Sequence, residues 1–147
     1  MVKKLFATLF VSLLLFTTAK AARVIEVFAN VDYVRAYDGD TITVNIPRLP
    51  AVFGEKISIR VRGIDTPEIR AKCDNEKYLA IRARNYVRNL LENATKIDLV
   101  NPERGKYFRI VADVRFDGAD LKDSLLEMGY AVRYDGGRKT NPWCPDF

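Results

Sequence analysis

The sequence predicts a mixed α+β fold in which β-strands dominate. Short segments alternate apolar and polar residues with period two, turn-forming pairs separate them, and one long segment carries apolar residues at helical spacing. A chain of 147 residues with 48% hydrophobic content is long enough to bury the core of one domain. We therefore expect a single domain built on a sheet.

The first two predicted strands form a hairpin. Residues 31–37 are rich in β-formers, and residues 41–46 alternate apolar and polar side chains. The pair Asp38-Gly39 between them is typical of a hairpin turn. Residues 47–54 contain two prolines and a glycine, which predicts a loop.

A third strand is predicted at 57–61, where apolar and polar residues alternate again. The alternation slips at Gly63, and a β-bulge at this glycine would explain the slip. The bulge would also return Asp65 to the face of the strand that carries Arg60.

The second half of the chain is predicted to contain two helices and two further strands. Apolar residues recur at three and four positions over 80–94, and a shorter helix at 121–128 follows Asp120, which can cap it. Strands are predicted at 96–100 and 107–116. Together these elements indicate a small closed Greek-key barrel of the OB type, with five strands and two helices packed on it.

The N-terminus has the layout of a secretory signal peptide. A basic pair at 3–4 precedes an apolar run at 5–16, and Ala19-Lys20-Ala21 is a small-x-small cleavage site. The apolar run is shorter than the ~18 residues of a spanning helix, and an uncleaved membrane anchor is the alternative. We expect a signal peptide at 1–21, a functional domain at 22–147, a secreted or periplasmic location, and membrane contact only during export.

Composition excludes several kinds of catalytic site. The sequence has no histidine, so no Ser-His-Asp or Cys-His triad can form and no imidazole can bind a metal. Two cysteines cannot build a four-thiolate zinc site. The net charge of +5 falls to +2 without the three lysines of the signal peptide, which is weak evidence for a polyanionic partner. Any catalysis must use carboxylates, Lys, Arg, Tyr or a bound metal ion.

Export would place both cysteines in an oxidising compartment. A disulfide between Cys73 and Cys144 would close a long loop and add ~2–4 kcal/mol to the free energy of unfolding. Two independent thiols are the alternative.

Charged residues are predicted to meet at one mouth of the barrel. Three consecutive antiparallel strands place the start of the second, at Asp40, beside the end of the third, at Asp65. Paired carboxylates without His or Cys suit a hard cation, and Ca²⁺ suits an exported protein. Glu68 and Arg60 can face the same pocket, and Arg109 lies on the polar side of the fifth predicted strand.

This combination of charges fits the attack of water on a phosphodiester. A metal ion and two guanidinium groups can neutralise the charge that develops on the phosphate oxygens. Glu68 is the candidate to orient or deprotonate the water because no histidine is present. Taken singly, Asp38-Gly39-Asp40-Thr41 is turn chemistry, and Arg60 and Arg109 are solvated strand residues. The prediction therefore depends on their shared position.

Three separated motifs, in this order, resemble the staphylococcal nuclease (thermonuclease) family. They are Asp38-Gly39-Asp40-Thr41, the segment from Arg60 through Ile64-Asp65-Thr66-Pro67-Glu68, and Lys106-Tyr107-Phe108-Arg109. The resemblance runs from Val31 to Val132, which is most of the predicted domain. It implies an α+β, mainly β, five-stranded OB-fold barrel and a Ca²⁺-dependent nuclease that hydrolyses DNA and RNA to 3′-phosphate products.

The resemblance also implies a role for each motif residue. Asp40 and Asp65 would bind Ca²⁺ through their carboxylates, and Thr66 would bind it through its backbone carbonyl. Glu68 would act as general base or position the attacking water. The remaining residues would contact the substrate, with Arg60 and Arg109 on the scissile phosphate and with Lys106 and Tyr107 on a nucleotide phosphate.

The sequence departs from the family's pattern in three respects. Phe108 stands where a glycine commonly precedes the second arginine, which leaves nucleotide preference open. Tyr130 and Tyr134 do not align cleanly with the family's nucleotide-stacking tyrosines. In place of the third helix of the best-known members, we expect Trp143-Cys144, bridged to Cys73, to act as a clamp.

The expected partner is a nucleic-acid substrate, DNA or RNA, with single-stranded or frayed strands preferred, and we expect a monomer without a stable protein partner. Two alternatives stay open. The first is a catalytically inactive nucleic-acid-binding module, although such domains usually lose acidic or arginine positions that are all present here. The second is a non-enzymatic secreted protein that shares only the barrel.

Overall fold

The structure, a computed structural model, describes residues 26–140 and 142–144. The predicted signal peptide at 1–21 and its cleavage site lie outside these residues. Within them the chain forms nine strands and three helices, in this order: β1 (Val27–Phe28), β2 (Asp32–Ala36), β3 (Thr41–Asn45), α1 (Ala51–Gly54), β4 (Ile57–Val61), β5 (Ile64–Asp65), α2 (Asp74–Glu92), β6 (Ile97–Arg104), β7 (Ile110–Phe116), β8 (Ala119–Asp120), α3 (Leu121–Glu127) and β9 (Val132–Arg133).

Most of the strands belong to one large sheet. Its order is β1-β6-β7-β4-β3-β2, with β8 paired to β7 at the side, while β5 and β9 form a separate two-stranded sheet. Neighbouring strands of the large sheet are antiparallel except β4 and β7, which are parallel. Over the residues that the structure describes, the pairing path ends at β1 and at β2. The mixed, mainly β fold is confirmed, whereas closure into a five-stranded barrel stays a prediction.

The hydrophobic core lies between the large sheet and the two longer helices. Every second residue of β3 and β4 is buried, so each strand turns one face to the core. The buried residues of these elements are Ile42 and Val44 on β3, Ile57, Ile59 and Val61 on β4, Val87 and Leu91 on α2, and Leu121 and Leu125 on α3. Each such burial contributes about 1.5–3 kcal/mol, so β3 and β4 are firmly held at the edge of the sheet where Asp40 and Arg60 lie.

The predicted hairpin is confirmed. β2 and β3 pair antiparallel, and the amide of Tyr37 donates to the carbonyl of Thr41 across the turn at 2.8 Å. β3 then pairs antiparallel with β4, and Thr41 lies directly opposite Arg60. The start of β3 and the end of β4 are therefore at the same edge of the sheet, as the sequence predicted.

The predicted loop at 47–54 is wrong in its second half, where the one-turn helix α1 forms. Pro50 precedes this helix with a φ of −54°, and its carbonyl accepts from the amides of Phe53 and Gly54 at 2.8 and 2.9 Å. Proline at the entry of a helix costs no hydrogen bond, because the first amides have no partner within the helix. The described residues thus form three helices rather than the two predicted.

The predicted bulge at Gly63 is a turn at which the chain leaves the large sheet. Gly63 has a φ of +77°, which favours glycine, and the next two residues form β5. β5 pairs with β9, with Asp65 opposite Val132. The predicted consequence is nonetheless confirmed, because the side chains of Arg60 and Asp65 are in contact.

β7 begins three residues later than the predicted strand at 107–116. The chain turns at 106–109, where the amide of Arg109 donates to the carbonyl of Lys106 at 3.1 Å. Tyr107 and Phe108 within this turn have φ of +57° and +60°. Arg109 therefore lies at the end of a turn and not on the polar face of the strand.

Both longer helices are confirmed, although α2 begins six residues before the predicted stretch of 80–94 and ends two residues before its end. α2 begins after Cys73, whose sulfur accepts from the amide of Glu76, and α3 begins after Asp120, whose carboxylate accepts from the amide of Lys122 at 2.9 Å. Gly129, with a φ of +69°, ends the second of them. None of the helices in the described ranges is long and apolar enough to cross a membrane.

The predicted disulfide is present. Cys73 and Cys144 are bonded, with their Cα atoms 5.9 Å apart. Beside them the side chain of Trp143 is buried. The backbone carbonyl of Trp143 accepts a hydrogen bond from the Nδ2 of Asn75 at 2.7 Å. The C-terminal segment is therefore attached to the first turn of α2.

Candidate active site

One polar pocket of about 520 Å³ lies where β3 begins and β4 ends. It gathers acidic and basic side chains from five separate parts of the chain. Its lining residues are Tyr37, Asp38, Asp40, Thr41, Arg60, Glu68, Lys106, Arg109, Tyr134 and Lys139. Five of these residues, Asp40, Arg60, Glu68, Lys106 and Arg109, are charged residues to which the sequence assigned a role.

Asp40 forms the floor of the pocket and is 4% exposed. Its Oδ2 accepts from the backbone amide of Thr66 at 3.0 Å, and its Oδ1 accepts from the hydroxyl of Thr41 at 3.1 Å. Its own amide donates to Asp38 at 3.2 Å, which closes the turn. Gly39 makes this packing possible, because a Cβ there would lie 2.9 Å from the Cγ2 of Thr66.

Arg60 joins the two predicted metal-ligating carboxylates. Its Nη1 pairs with Asp40, and its Nη2 lies 3.1 Å from the Oδ1 of Asp65 and donates to the carbonyl of Ile64 at 3.0 Å. Burial lowers the pKa of the Arg60 guanidinium, and the carboxylates of Asp65 and Asp38 oppose that change. Since arginine keeps its proton at neutral pH, the two carboxylates are held together by one fixed positive charge.

Glu68 lies at the rim of the pocket and is half exposed. Its amide donates to the Oε1 of the buried Glu76 at 3.1 Å, which fixes the backbone after Pro67. The Nζ of Lys139 lies 2.6 Å from the Oε1 of Glu68 and 2.8 Å from the Oδ1 of Asp65. Although burial opposes the charged form, hydrogen bonds to these two carboxylates raise the pKa of Lys139.

Arg109 faces the same pocket from the opposite side. Its Nε is buried and has no hydrogen-bond partner within the described part of the chain. Its charge is close enough to Arg60 to lower the pKa of that guanidinium. Two guanidinium groups that repel each other in one pocket are suited to an anion that both can contact.

The two predicted nucleotide-contacting residues differ in their positions. Lys106 lines the pocket, whereas Tyr107 is not among its lining residues and is 94% exposed. The turn at 106–109 points Tyr107 toward solvent, and Phe108 packs its ring under the guanidinium of Arg104 at 4.9 Å. The structure therefore brings Lys106, but not Tyr107, to the other charged residues.

Asp40 at the floor of the pocket, together with the neighbouring Asp65 and Thr66, fits a hard divalent cation. Asp40 and Asp65 are buried carboxylates that both pair with the guanidinium of Arg60. Thr66, at 1% exposure, has a side-chain hydroxyl without a hydrogen-bond partner among the described residues. An all-oxygen donor set of this kind suits Ca²⁺ or Mg²⁺. The other group of possible ligands, formed by Cys73, Glu76 and Cys144, has both sulfurs in the disulfide and so offers no thiolate.

The sequence did not assign a role to several residues that the pocket contains. Asp38 belongs to a motif that the sequence singled out, but as part of a turn. Lys139 carried no local signal, since it lies 71 residues from Glu68 along the chain and meets it only through the fold. Tyr134 was considered as a nucleotide-stacking residue without an alignment, and it lies in the pocket wall.

Comparison with known proteins identifies the family. The model of the family described as staphylococcal nuclease homologue matches residues 58–142, more than half of the chain. An uncharacterized protein of Methanocaldococcus jannaschii, MJ1439, is 27% identical, and the match covers 69% of this chain. The chain spans 57% of that relative's length. The family match includes both pocket arginines together with Asp65 and Glu68, and the chain belongs to the family of staphylococcal nuclease homologues.

Proposed function

We propose that the protein is a Ca²⁺-dependent nuclease that hydrolyses phosphodiester bonds in DNA and RNA. The observation that carries the proposal is a single pocket lined by the buried Asp40, two arginines and one half-exposed glutamate, with a second buried carboxylate, Asp65, paired with Arg60 beside it. Family membership supports a nuclease or nucleic-acid-binding function. The geometry favours the nuclease, because a site that only binds phosphate has no need for buried acids.

The two arginines would hold the scissile phosphate. Arg60 is fixed by Asp40 and Asp65, so its planar fork is already oriented when substrate enters. Arg109 has a buried donor that a phosphate oxygen can satisfy. Donors that are fixed in advance stabilise the charge that grows on the phosphate oxygens, which is how such groups accelerate hydrolysis.

The acidic residues would act on the cation and on water. Asp40 and Asp65, with the backbone carbonyl of Thr66, would hold Ca²⁺, which when bound neutralises charge on the phosphate. Glu68 would orient the attacking water and accept its proton. Its half-exposed position at the pocket rim leaves room for that water, and the hydrogen bond that its backbone amide donates to the carboxylate of Glu76 keeps its backbone in place.

Further features of the proposal extend beyond the pocket. We propose a five-stranded OB barrel, 3′-phosphate products, a preference for single-stranded or frayed substrate, a monomeric state, and a secreted or periplasmic location after cleavage of the signal peptide. The disulfide supports the location, because such bonds persist in oxidising compartments. The open, polar pocket supports the substrate preference, since a single strand can enter it more readily than a duplex.

The test is cleavage of denatured and duplex DNA by the purified protein in Ca²⁺ and in chelator. We expect cleavage that requires the cation, and Glu68→Gln and Arg109→Ala should each lower the rate by about 10²–10³. Glu55→Gln, at an exposed glutamate outside the pocket, is the matched control and should cleave as the wild type does. Binding of DNA without cleavage under every condition would instead identify an inactive binding module.

A further inference from the structure

The C-terminal strap, which we define as residues 134–140 and 142–144, is fixed at both ends. At its start the amide of Tyr134 donates to the carbonyl of Gly63 at 3.0 Å, directly after the pairing of β9 with β5. At its end Cys144 is bonded covalently to Cys73, and Trp143 is buried beside it. The described residues of the strap therefore lie beside the pocket, with Tyr134 and Lys139 in its wall, and are attached at both ends.

Lys139 extends from the middle of the strap onto two carboxylates of the candidate site. Its Nζ lies 2.8 Å from Asp65 and 2.6 Å from Glu68. Among the described residues it is the one cation in contact with both of these acids, since Arg60 contacts only Asp65 of the two. The lysine side chain stays 45% exposed, so its ammonium can leave the pocket without breaking any buried packing.

We propose that Lys139 is an internal counter-ion that competes with the divalent cation for Asp65, while its second contact, with Glu68, helps to hold it there. The inference rests on the proposed function, because it assumes that a cation binds at Asp65. An ammonium and a divalent cation repel each other at this range, and they use the same carboxylate. Binding of one must therefore weaken binding of the other by the same factor.

The disulfide makes this competition strong. A tethered ligand acts at the effective concentration that its linker sets, and the strap is a short linker closed by the Cys73–Cys144 bond. Opening the bond frees one end of the strap and lowers the effective concentration of the ammonium at the two acids. The affinity for the divalent cation is thereby coupled to the redox state of the Cys73–Cys144 disulfide.

The experiment is a calorimetric titration of the full protein with CaCl₂, without nucleic acid. We expect Lys139→Met to tighten Ca²⁺ binding by about tenfold, in the range typical of coupled sites. Arg138→Met removes the same charge from the neighbouring exposed residue and should leave the affinity unchanged. The double variant Cys73→Ser/Cys144→Ser should bind Ca²⁺ more tightly than the wild type, and adding Lys139→Met to it should have a smaller effect than in the oxidised protein.

Each outcome decides a separate question. Equal Ca²⁺ affinity of wild type and Lys139→Met would overturn the competition, and so would weaker binding by the variant, while the proposed nuclease would stand. Absence of Ca²⁺ binding in every variant, with circular dichroism showing a folded protein, would overturn the proposed function and this inference with it. If the cysteine variant does not fold, the comparison of Lys139→Met with Arg138→Met in the oxidised protein still decides the proposal.

Discussion

The ionised carboxylate of Asp38, in the wall of the pocket, lowers the stability of the fold. Burial raises the pKa of its carboxyl, and the nearby charge of Glu68 adds to this, while hydrogen bonds with Thr41 and the charge of Arg60 act in the other direction. The ionised form is therefore less favourable in the folded chain than in the unfolded one. A negative charge kept at such a position is understandable if a cation is to bind beside it.

Asp38→Asn is expected to raise the free energy of unfolding at pH 7 in chelator. An acid whose pKa is raised by folding contributes stability that is complete below its unfolded pKa, about 3.9, and is lost as the pH rises through the folded value. Removing the charge restores that stability, because asparagine can still accept from the amide of Asp40. Urea denaturation at pH 7 and pH 4 measures the effect, which should shrink at the lower pH. Asp32→Asn, at an exposed position, is the control, and a loss of stability at pH 7 would contradict the argument.

The absence of a side chain at Gly39 allows the turn that carries Asp40 to pack closely against Thr66 and Ala83. A Cβ at this position would lie 2.9 Å from the Cγ2 of Thr66 and 3.1 Å from the Cβ of Ala83. We expect Gly39→Ala to lower the free energy of unfolding by ~1–3 kcal/mol, as overpacking does elsewhere, and to lower cleavage because Asp40 moves with the turn. Thermal unfolding of the Gly39→Ala variant, with and without Thr66→Ser, measures the loss of stability. The serine removes the nearest carbon and should restore part of the loss, whereas no rescue would assign the loss to another cause.

At the scale of the elements, the turn at 106–109 stores backbone strain beside the site. Tyr107 and Phe108 both have positive φ within a turn closed by the bond from the Arg109 amide to the Lys106 carbonyl. This pattern is that of a type I′ turn, for which glycine and asparagine are preferred. Phe108, which by the resemblance stands where the family pattern commonly has a glycine, keeps its ring half exposed under Arg104.

Comparison of two substitutions at Phe108 separates strain from side-chain contact. Both Phe108→Gly and Phe108→Ala remove the ring, but only glycine adopts a φ of +60° without cost. We expect the glycine variant to be more stable than the alanine variant by about 1 kcal/mol, the penalty for a left-handed residue with a Cβ. Chemical denaturation of the two variants measures the difference. An alanine variant of equal or greater stability would show that the turn relaxes to another conformation.

Elements with a strong local signal were predictable from the sequence, and those that depend on a distant partner were not. The β2–β3 hairpin, α2 and α3 have period, turn and cap residues within their own segments. By contrast, β9 has only two residues, and its strand conformation depends on its pairing with β5. Arg109 is not in the predicted strand because the two residues before it, Tyr107 and Phe108, have positive φ. The acidic and arginine positions came from motifs, whereas Lys139 reaches the site only through the fold of the strap.

At the scale of the whole molecule, one covalent bond connects the C-terminal strap to the helix that covers the sheet. The Cys73–Cys144 bond joins residues 71 positions apart, and this loop contains α2, β6, β7 and α3. Much of the hydrophobic core therefore lies inside a closed loop. Such a crosslink limits the freedom of the unfolded chain, and it also holds Trp143 in its buried position.

Reduction of this bond is expected to destabilise the whole fold. The predicted loss is ~2–4 kcal/mol in the free energy of unfolding, because the reduced chain regains the conformational freedom that the loop had removed. For a domain of this size, that corresponds to a fall of roughly 10 °C in melting temperature. Differential scanning calorimetry with and without reductant, in chelator, measures the change. The Cys73→Ser/Cys144→Ser variant should melt near the reduced wild type and should not respond to reductant. An unchanged wild-type melting curve after reduction would contradict this prediction. It would mean that Trp143 and the strand pair at the start of the strap hold the segment in place, and that the disulfide adds nothing to the stability of the fold.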